Sequence, residues 1–249
     1  MALIWQKKVG GTRYEVRSAG RTLRLYTNGV FHTQYNPTHA ATGYVWDLLM
    51  LPALFYESSQ IKRVLVLGVG GGAAIHLLRK HVRPATIEGV ELDAVHLQIA
   101  RRFFDLKGRD IRLHQADAVT WLDQYTGEKF DLIIDDLFME KEGEPVAVVK
   151  PDTVWFNKML RHLNKHGVIV RNFISRQELL KSAPLLNESM NRKFASIFQL
   201  NGVQDENFVA AYFRKDVTAK QLYQHLAAIP GLNPQLATSR LRFKTRRLK

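Results

Sequence analysis

The sequence contains no cysteine, which excludes disulfides, thiolate zinc sites and cysteine nucleophiles and leaves only histidine and carboxylate ligands for any metal. Long apolar runs are missing as well. No stretch approaches the roughly 20 apolar residues of a membrane helix. The opening MALIWQKKVGG lacks the apolar stretch and small-residue cleavage site of a secretory leader. A soluble, cytoplasmic chain with no membrane partner is therefore expected. Acidic residues are in short supply: 23 against 36 lysines and arginines, a formal charge of +13. That balance favours anionic partners and disfavours a cationic substrate arriving from solution. Internal repeats and low-complexity segments are also absent.

What remains is a chain of 249 residues, 46% apolar, enough for one main domain with a small appendage. Residues 1–40 hold the β-prone segments TRYEVRSAG, RTLRLYT and VFHTQYN, separated by the turn signals Ala19-Gly20 and Asn28-Gly29, and predict a small antiparallel β unit. GYVWDLLMLPALF then suits a buried helix with a break at Pro52. From Lys62 strands and helices alternate: RVLVLGV before AAIHLLRKH, TIEGVEL before DAVHLQIARRFF, IRLHQAD before AVTWLDQY, DLIIDDL before a loop, and GVIVRNF after a helix over 151–164. FASIFQL and FVAAYFR predict a terminal hairpin around the loop NGVQDEN, and a last helix spans Thr218 to about Ala228. The expected fold is a doubly wound, mostly parallel seven-stranded α/β sheet over residues 41–235. Residues 236–249 form a basic end, in which Arg240, Arg242, Lys244, Arg246, Arg247 and Lys249 alternate with apolar or small residues. It reads as a solvated tail or an edge strand, with an anionic or nucleic-acid partner as the functional alternative.

In an open α/β sheet the ligand lies beyond the carboxyl ends of the strands, where strand order reverses. LVLGVGGG puts Gly68, Gly70, Gly71 and Gly72 at the first strand-to-helix turn, where a ligand can approach backbone amides. The same spacing, with Ala73, also suits a dinucleotide fingerprint or a plain tight turn. Glu91 ends the second strand with Leu92 beside it, and its carboxylate can accept both hydroxyls of a ribose. Asp93 is the better cap for the following helix. Asp117 ends the third strand, where it can accept from an adenine amine while the Ala118 amide donates to the ring; capping the next helix is its competing role. Asp136 closes the fourth strand. Since adjacent strand residues point oppositely, only one of Asp135 and Asp136 reaches the site, and a buried Asp136 can serve as a general base or orient a nucleophile. No metal site is expected.

In these segments the sequence resembles the spermidine synthase family, aminopropyltransferases built on the class I methyltransferase fold. The similarity runs over about residues 20–215: LRLYTNGVFHTQYN, MLPALF, VLVLGVGGG, GVELD, QADA and FDLIIDD stand in the family's order. The resemblance implies a pocket for S-adenosylmethionine or its decarboxylated form, with Glu91 on ribose, Asp117 and Ala118 on adenine, and Asp136 at the catalytic aspartate. It also matches His32 to a glutamine near the substrate, keeps Tyr44 from a tyrosine, glutamine and glutamate cluster, and is compatible with a homodimer. Three departures stand out. The family's GGGDGG is GGGAA here, with Ala73 in place of the aspartate that holds the cofactor amine. Val45 and Trp46 follow Tyr44, and DSSDP becomes Asp136-Leu137-Phe138-Met139. Because a desolvated dication needs paired carboxylates, the expected activity is methyl transfer to a small-molecule acceptor the sequence does not name. An aminopropyltransferase, a noncatalytic nucleoside or nucleic-acid binding module and, distantly, a nicotinamide oxidoreductase are the alternatives.

Overall fold

Tight turns fold the first 35 residues into a sheet of their own. In the computed structural model, which describes residues 1–141, 144–202 and 207–249, strands β1 (Ala2–Val9), β2 (Thr12–Ala19), β3 (Thr22–Thr27) and β4 (Val30–Tyr35) pair antiparallel in sequence order. Asn28 and Gly29 take φ of 50° and 88°, the left-handed pair that a two-residue hairpin requires. β1 carries no alternating buried face, seven of its eight residues being exposed, which is why periodicity did not reveal it.

Helix α1 (Val45–Met50) passes at Pro52 into a 3-10 turn over Leu51–Phe55, the expected break. The alternating region then supplies β5 (Arg63–Leu67), α2 (Ala73–His81), β6 (Thr86–Glu91), α3 (Ala94–Arg102), β7 (Ile111–Gln115), α4 (Ala118–Gln124) and β8 (Phe130–Asp135). Where a plain loop was expected after β8, the chain makes a hairpin of β9 (Phe138–Lys141) and β10 (Glu144–Ala147). Next come α5 (Thr153–Arg161), β11 (Leu163–Phe173) and three short helices that the sequence did not announce: α6 (Arg176–Leu180), α7 (Ala183–Leu186) and α8 (Glu188–Asn191). β12 (Ser196–Gly202), β13 (Phe208–Phe213), α9 (Ala219–Ala228) and β14 (Phe243–Arg247) complete the chain. Of the predicted loop NGVQDEN, residues 203–206 lie outside the described residues. No helix among the described residues is long and apolar enough to cross a membrane.

The main sheet runs β14-β12-β13-β11-β8-β5-β6-β7, parallel from β11 through β7 and antiparallel at the other edge. It has eight strands rather than seven. The added one is β14, which covers the otherwise open edge of β12 and stacks Phe243 on Tyr223 with ring centres 5.8 Å apart. The edge-strand reading therefore holds for Phe243–Arg247, with Lys244 and Arg246 exposed on it. Side chains alternate across the sheet. Val64, Val66, Leu132 and Ile134 pack on the side of α1, α2, α3 and α9, whereas Leu65, Leu67, Phe130 and Ile133 pack on the side of α4 and α5. The small sheet docks on α3 through Tyr14, Val16 and Leu25 against Ile99 and Phe104.

Candidate functional site

Strand order reverses between β5 and β8: from β5 the chain moves out to β6 and β7, then returns to place β8 on the other side. A crevice opens at such a point. The structure has a cavity of about 490 Å³ there, walled by the tips of β5, β6, β7, β8 and β11, by the inner face of the small sheet, and by the β9–β10 hairpin. His32, Tyr44, Gly68, Gly70, Glu91, Leu92, Asp117, Ala118 and Asp136 all line it. Gly71 and Gly72 do not. A Cβ on Gly71 would meet Thr33 and Phe104, and one on Gly72 would meet Leu106, so these two serve packing rather than ligand approach.

Gly68 is dictated by the protein as well. Its φ is +85°, and a Cβ would lie 2.3 Å from the carbonyl oxygen of Asp136. Only glycine lets the tips of β5 and β8 close to this distance. Glu91 does not stand idle at the tip of β6. Its Oε2 accepts from the Val69 and Gly70 amides at 2.9 Å each, and Oε1 accepts from the Asp93 amide at 3.0 Å. A carboxylate has about four lone-pair sites. Three are filled, so Glu91 can take one ribose hydroxyl as it stands, and the second requires release of a loop amide.

Asp93 caps α3 as expected, accepting from the Val95 amide at 2.7 Å, and its other oxygen accepts from the Tyr14 hydroxyl at 2.7 Å. Burial, then the bond to Asp93, pushes the Tyr14 hydroxyl up to about 12. Asp117 takes the competing role: Oδ1 accepts from the Thr120 amide and hydroxyl, both at 2.8 Å, and caps α4. These bonds, the amide foremost, hold its carboxyl below the usual range. Contact with an adenine amine would fall to the other oxygen.

At the tip of β8 the pair divides as expected. Asp135 turns into the core on one face, and Asp136 turns to the cavity. Asn172, from the end of β11, donates Nδ2–H to Asp136 Oδ1 at 2.8 Å, and its own Oδ1 accepts from Asn207 Nδ2 at 3.0 Å. This polar chain has a fixed direction, because an ionised carboxylate can only accept. Burial pushes Asp136 up to about 6, against the lowering effect of Asn172, with Asp135 and Glu91 adding upward. A carboxyl group so tuned is ionised at neutral pH yet able to take a proton. Asn172 was missed by sequence reasoning, although its signal was available: it ends the strand GVIVRNF just as the acidic residues end theirs.

The small sheet completes the wall. His32 Nε2 is buried without a hydrogen-bond partner, and burial, aided by His96, pulls the ring down to about 4, so it is neutral at pH 7. The two rings lie 5.0 Å apart, and His96 Nε2 sits 2.8 Å from Thr27 Oγ1. Tyr44 packs against Phe31 and Trp46. Thr33 Oγ1 accepts from the Gly71 amide at 2.8 Å, which fastens β4 directly to the glycine turn. Ala73, where the family resemblance placed an aspartate, is buried at the start of α2 and lies outside the cavity wall.

The wall carries five carboxylates, those of Glu91, Asp93, Asp117, Asp136 and Glu140, and among the described lining residues no lysine or arginine. The net charge of the chain is therefore no guide to what the cavity accepts. An adenosine with a sulfonium side chain fits this set of groups: acceptors at the tips of β6 and β7, an apolar wall at Leu92, Ala118 and Leu137, and carboxylates toward a cationic centre.

Comparison with known proteins bears on the fold and the family. The chain is 26% identical over 192 residues to an eEF1A lysine and N-terminal methyltransferase homolog of Drosophila melanogaster, covering 72% of this chain and 28% of that one. It is 28% identical over 187 residues to a probable polyamine aminopropyl transferase of Bifidobacterium longum, covering 74% and 40%. The chain thus spans less than half the length of these relatives. A crystal structure of a probable spermidine synthase from Corynebacterium glutamicum superimposes with a TM-score of 0.71 at 16% identity, over 92% of this chain and 89% of that one, which establishes a spermidine synthase-like class I methyltransferase fold. The family model described as "Methyltransferase domain" matches residues 58–227, and since that is more than half of the 249 residues, the chain belongs to the methyltransferase domain family.

Proposed function

We propose that this protein is an S-adenosylmethionine-dependent methyltransferase whose acceptor is a small amine. The observation that carries the reading is the acidic cavity at the strand reversal, with Asp136 at its floor and no lysine or arginine among its described lining residues. When bound, the cofactor supplies an electrophilic methyl group on a sulfonium. Glu91 and Asp117 are the proposed ribose and adenine acceptors, with Gly68, Gly70, Leu92 and Ala118 shaping the wall between them. Asp136 receives the proton lost by the acceptor nitrogen. Asn207 orients Asn172, which orients Asp136, so one carboxylate oxygen is held and the other is left toward the cavity. His32 and Tyr44 are proposed acceptor contacts, with His32 Nε2 offering an unspent polar atom. Positioning does most of the work in such a displacement.

One observation favours a second reading, aminopropyl transfer from decarboxylated S-adenosylmethionine: the described wall offers no cation to pair with the carboxylate of the intact cofactor. The test is transfer of labelled methyl from S-adenosylmethionine to a panel of small primary and secondary amines, alongside the decarboxylated cofactor. Methylated amine, formed about 10²–10⁴-fold more slowly by Asp136→Asn, supports the leading reading. Aminopropylated product alone selects the second, and no product from either cofactor with any amine overturns both.

A further inference from the structure

Behind the cavity, on the opposite face of the sheet, lies a charged group that the proposed chemistry does not use. Asp135 and Arg171 are register partners on β8 and β11, and they are 2% and 1% exposed. Arg171 donates through Nη1 to Asp135 Oδ2, and the Trp155 indole N–H donates to the same oxygen at 2.7 Å. Arg171 Nη2 donates to the carbonyl of Val149. Its Nε, buried as well, has no acceptor. A desolvated ion pair with an orphaned donor holds a core together no better than a packed apolar pair of similar volume. Its presence there calls for another cause.

The position of the pair supplies one. One residue further along each strand, Asp136 and Asn172 point to the other face and form the cavity pair. The same two strand tips thus carry a charged pair on one side and the polar pair of the site on the other. Val149 and Trp155 flank the return of the chain from the β9–β10 hairpin to α5. Met139, Glu140 and Val148 of that excursion line the cavity. Arg171 holds one end of the return and Asp135 the other.

We propose that the Arg171–Asp135 pair is a positioning clasp: it sets the strand tips that carry Asp136 and Asn172 and anchors the root of the hairpin that walls the cavity. Neither residue touches the cavity, so Arg171 is a positioning residue and not a catalytic one. The kinetic consequence rests on the methyltransferase reading. The geometric claim does not.

The test replaces the pair by apolar residues in the full chain, as Asp135→Leu/Arg171→Met, with Arg171→Lys beside it. Three quantities are compared with the unmodified protein: thermal stability, the NMR signals and exchange of the Asn172 side-chain amide, and calorimetric affinity for S-adenosylmethionine. The clasp predicts a double variant of near-normal stability in which the Asn172 amide loses its shifted, slowly exchanging signal. Affinity falls by about tenfold, and methyl transfer by up to about a hundredfold, as expected when a remote change displaces reacting groups by an ångström. Arg171→Lys keeps a cation for Asp135 but loses the fork, so it retains the Asn172 signal while weakening affinity. A stable double variant with an unaltered Asn172 signal and unaltered affinity overturns the proposal. Should the double variant not fold, Arg171→Lys with unchanged affinity overturns it instead. If the unmodified protein binds no S-adenosylmethionine, the functional reading fails while the Asn172 signal still decides the clasp.

Discussion

The wall of the cavity and the surface of the molecule differ in charge, and the difference corrects an inference that composition invites. Five carboxylates face the cavity without a lysine or arginine among the described lining residues, in a chain with a formal charge of +13. Arg171 is the only lysine or arginine among the buried residues described, so the basic excess lies outside the described core and off the described cavity wall. Net charge governs encounter and solubility. Selectivity is set by the groups within a few ångströms of the ligand, where solvent screens least.

The sharpest way to break this contrast is at its centre. Asp136→Asn removes the proposed proton acceptor and should slow the proposed methyl transfer by about 10²–10⁴-fold, with cofactor affinity changed little and the acidic limb of the rate profile near pH 6 abolished. Stability should move the other way. The unfolded carboxyl ionises around 3.8 while the folded one keeps its proton to about 6, so the native state binds more protons across that window and loses stability as pH rises through it. Asp136→Asn should therefore gain stability over the unmodified protein above pH 6 and not below pH 4, as thermal melts at both values will show.

Gly68→Ala comes next, at a loss of about 2–4 kcal/mol in denaturant unfolding, because left-handed backbone and a collision with Asp136 combine. Gly11→Ala is the control: it has φ of +88° but nothing within 4 Å of the added Cβ, and should lose only about 1–2 kcal/mol. Glu91→Gln should weaken calorimetric cofactor affinity by about 1–3 kcal/mol, since it costs both the proposed ribose contact and acceptors for the loop amides. His32→Gln tests the small-sheet side. Its ring titrates near 4 when folded and 6.5 when unfolded, so it supports the fold fully above pH 6.5 and progressively less as pH falls toward 4; the variant should lose less stability over that interval. At the surface, Lys244→Gln and Arg246→Gln should each change stability by under about 0.5 kcal/mol and leave cofactor affinity unaltered.

Much of this was legible in the sequence because strand tips announce themselves. Short β-prone segments ending in glycine or a carboxylate placed Gly68, Glu91, Asp117 and Asp136 around one crevice, and the alternation of strand side chains separated Asp136 from Asp135. The rest depends on what the chain brings together from afar. Tyr14 meets Asp93 across 79 positions and Thr27 meets His96 across 69, and no local pattern contains such pairs. Asn172 is a neutral residue at a strand tip, a weaker signal than an acid. Glu91 was read as a free diol acceptor, but the backbone turn at Val69 and Gly70 aims two amides at it, a consequence of conformation rather than residue type. The hairpin after Asp136 was hidden because none of Phe138, Met139 and Glu140 is buried and Glu144–Ala147 is mostly exposed.

The central claim is that acidic strand tips and the glycine turn form one adenosine site, and calorimetric titration of the full chain tests it most directly. S-adenosylmethionine or S-adenosylhomocysteine should bind at one per chain, with affinity reduced by Glu91→Gln and by Asp117→Ala and left intact by Lys244→Gln. Absence of binding to either, or binding that both cavity variants leave unchanged, would contradict the account.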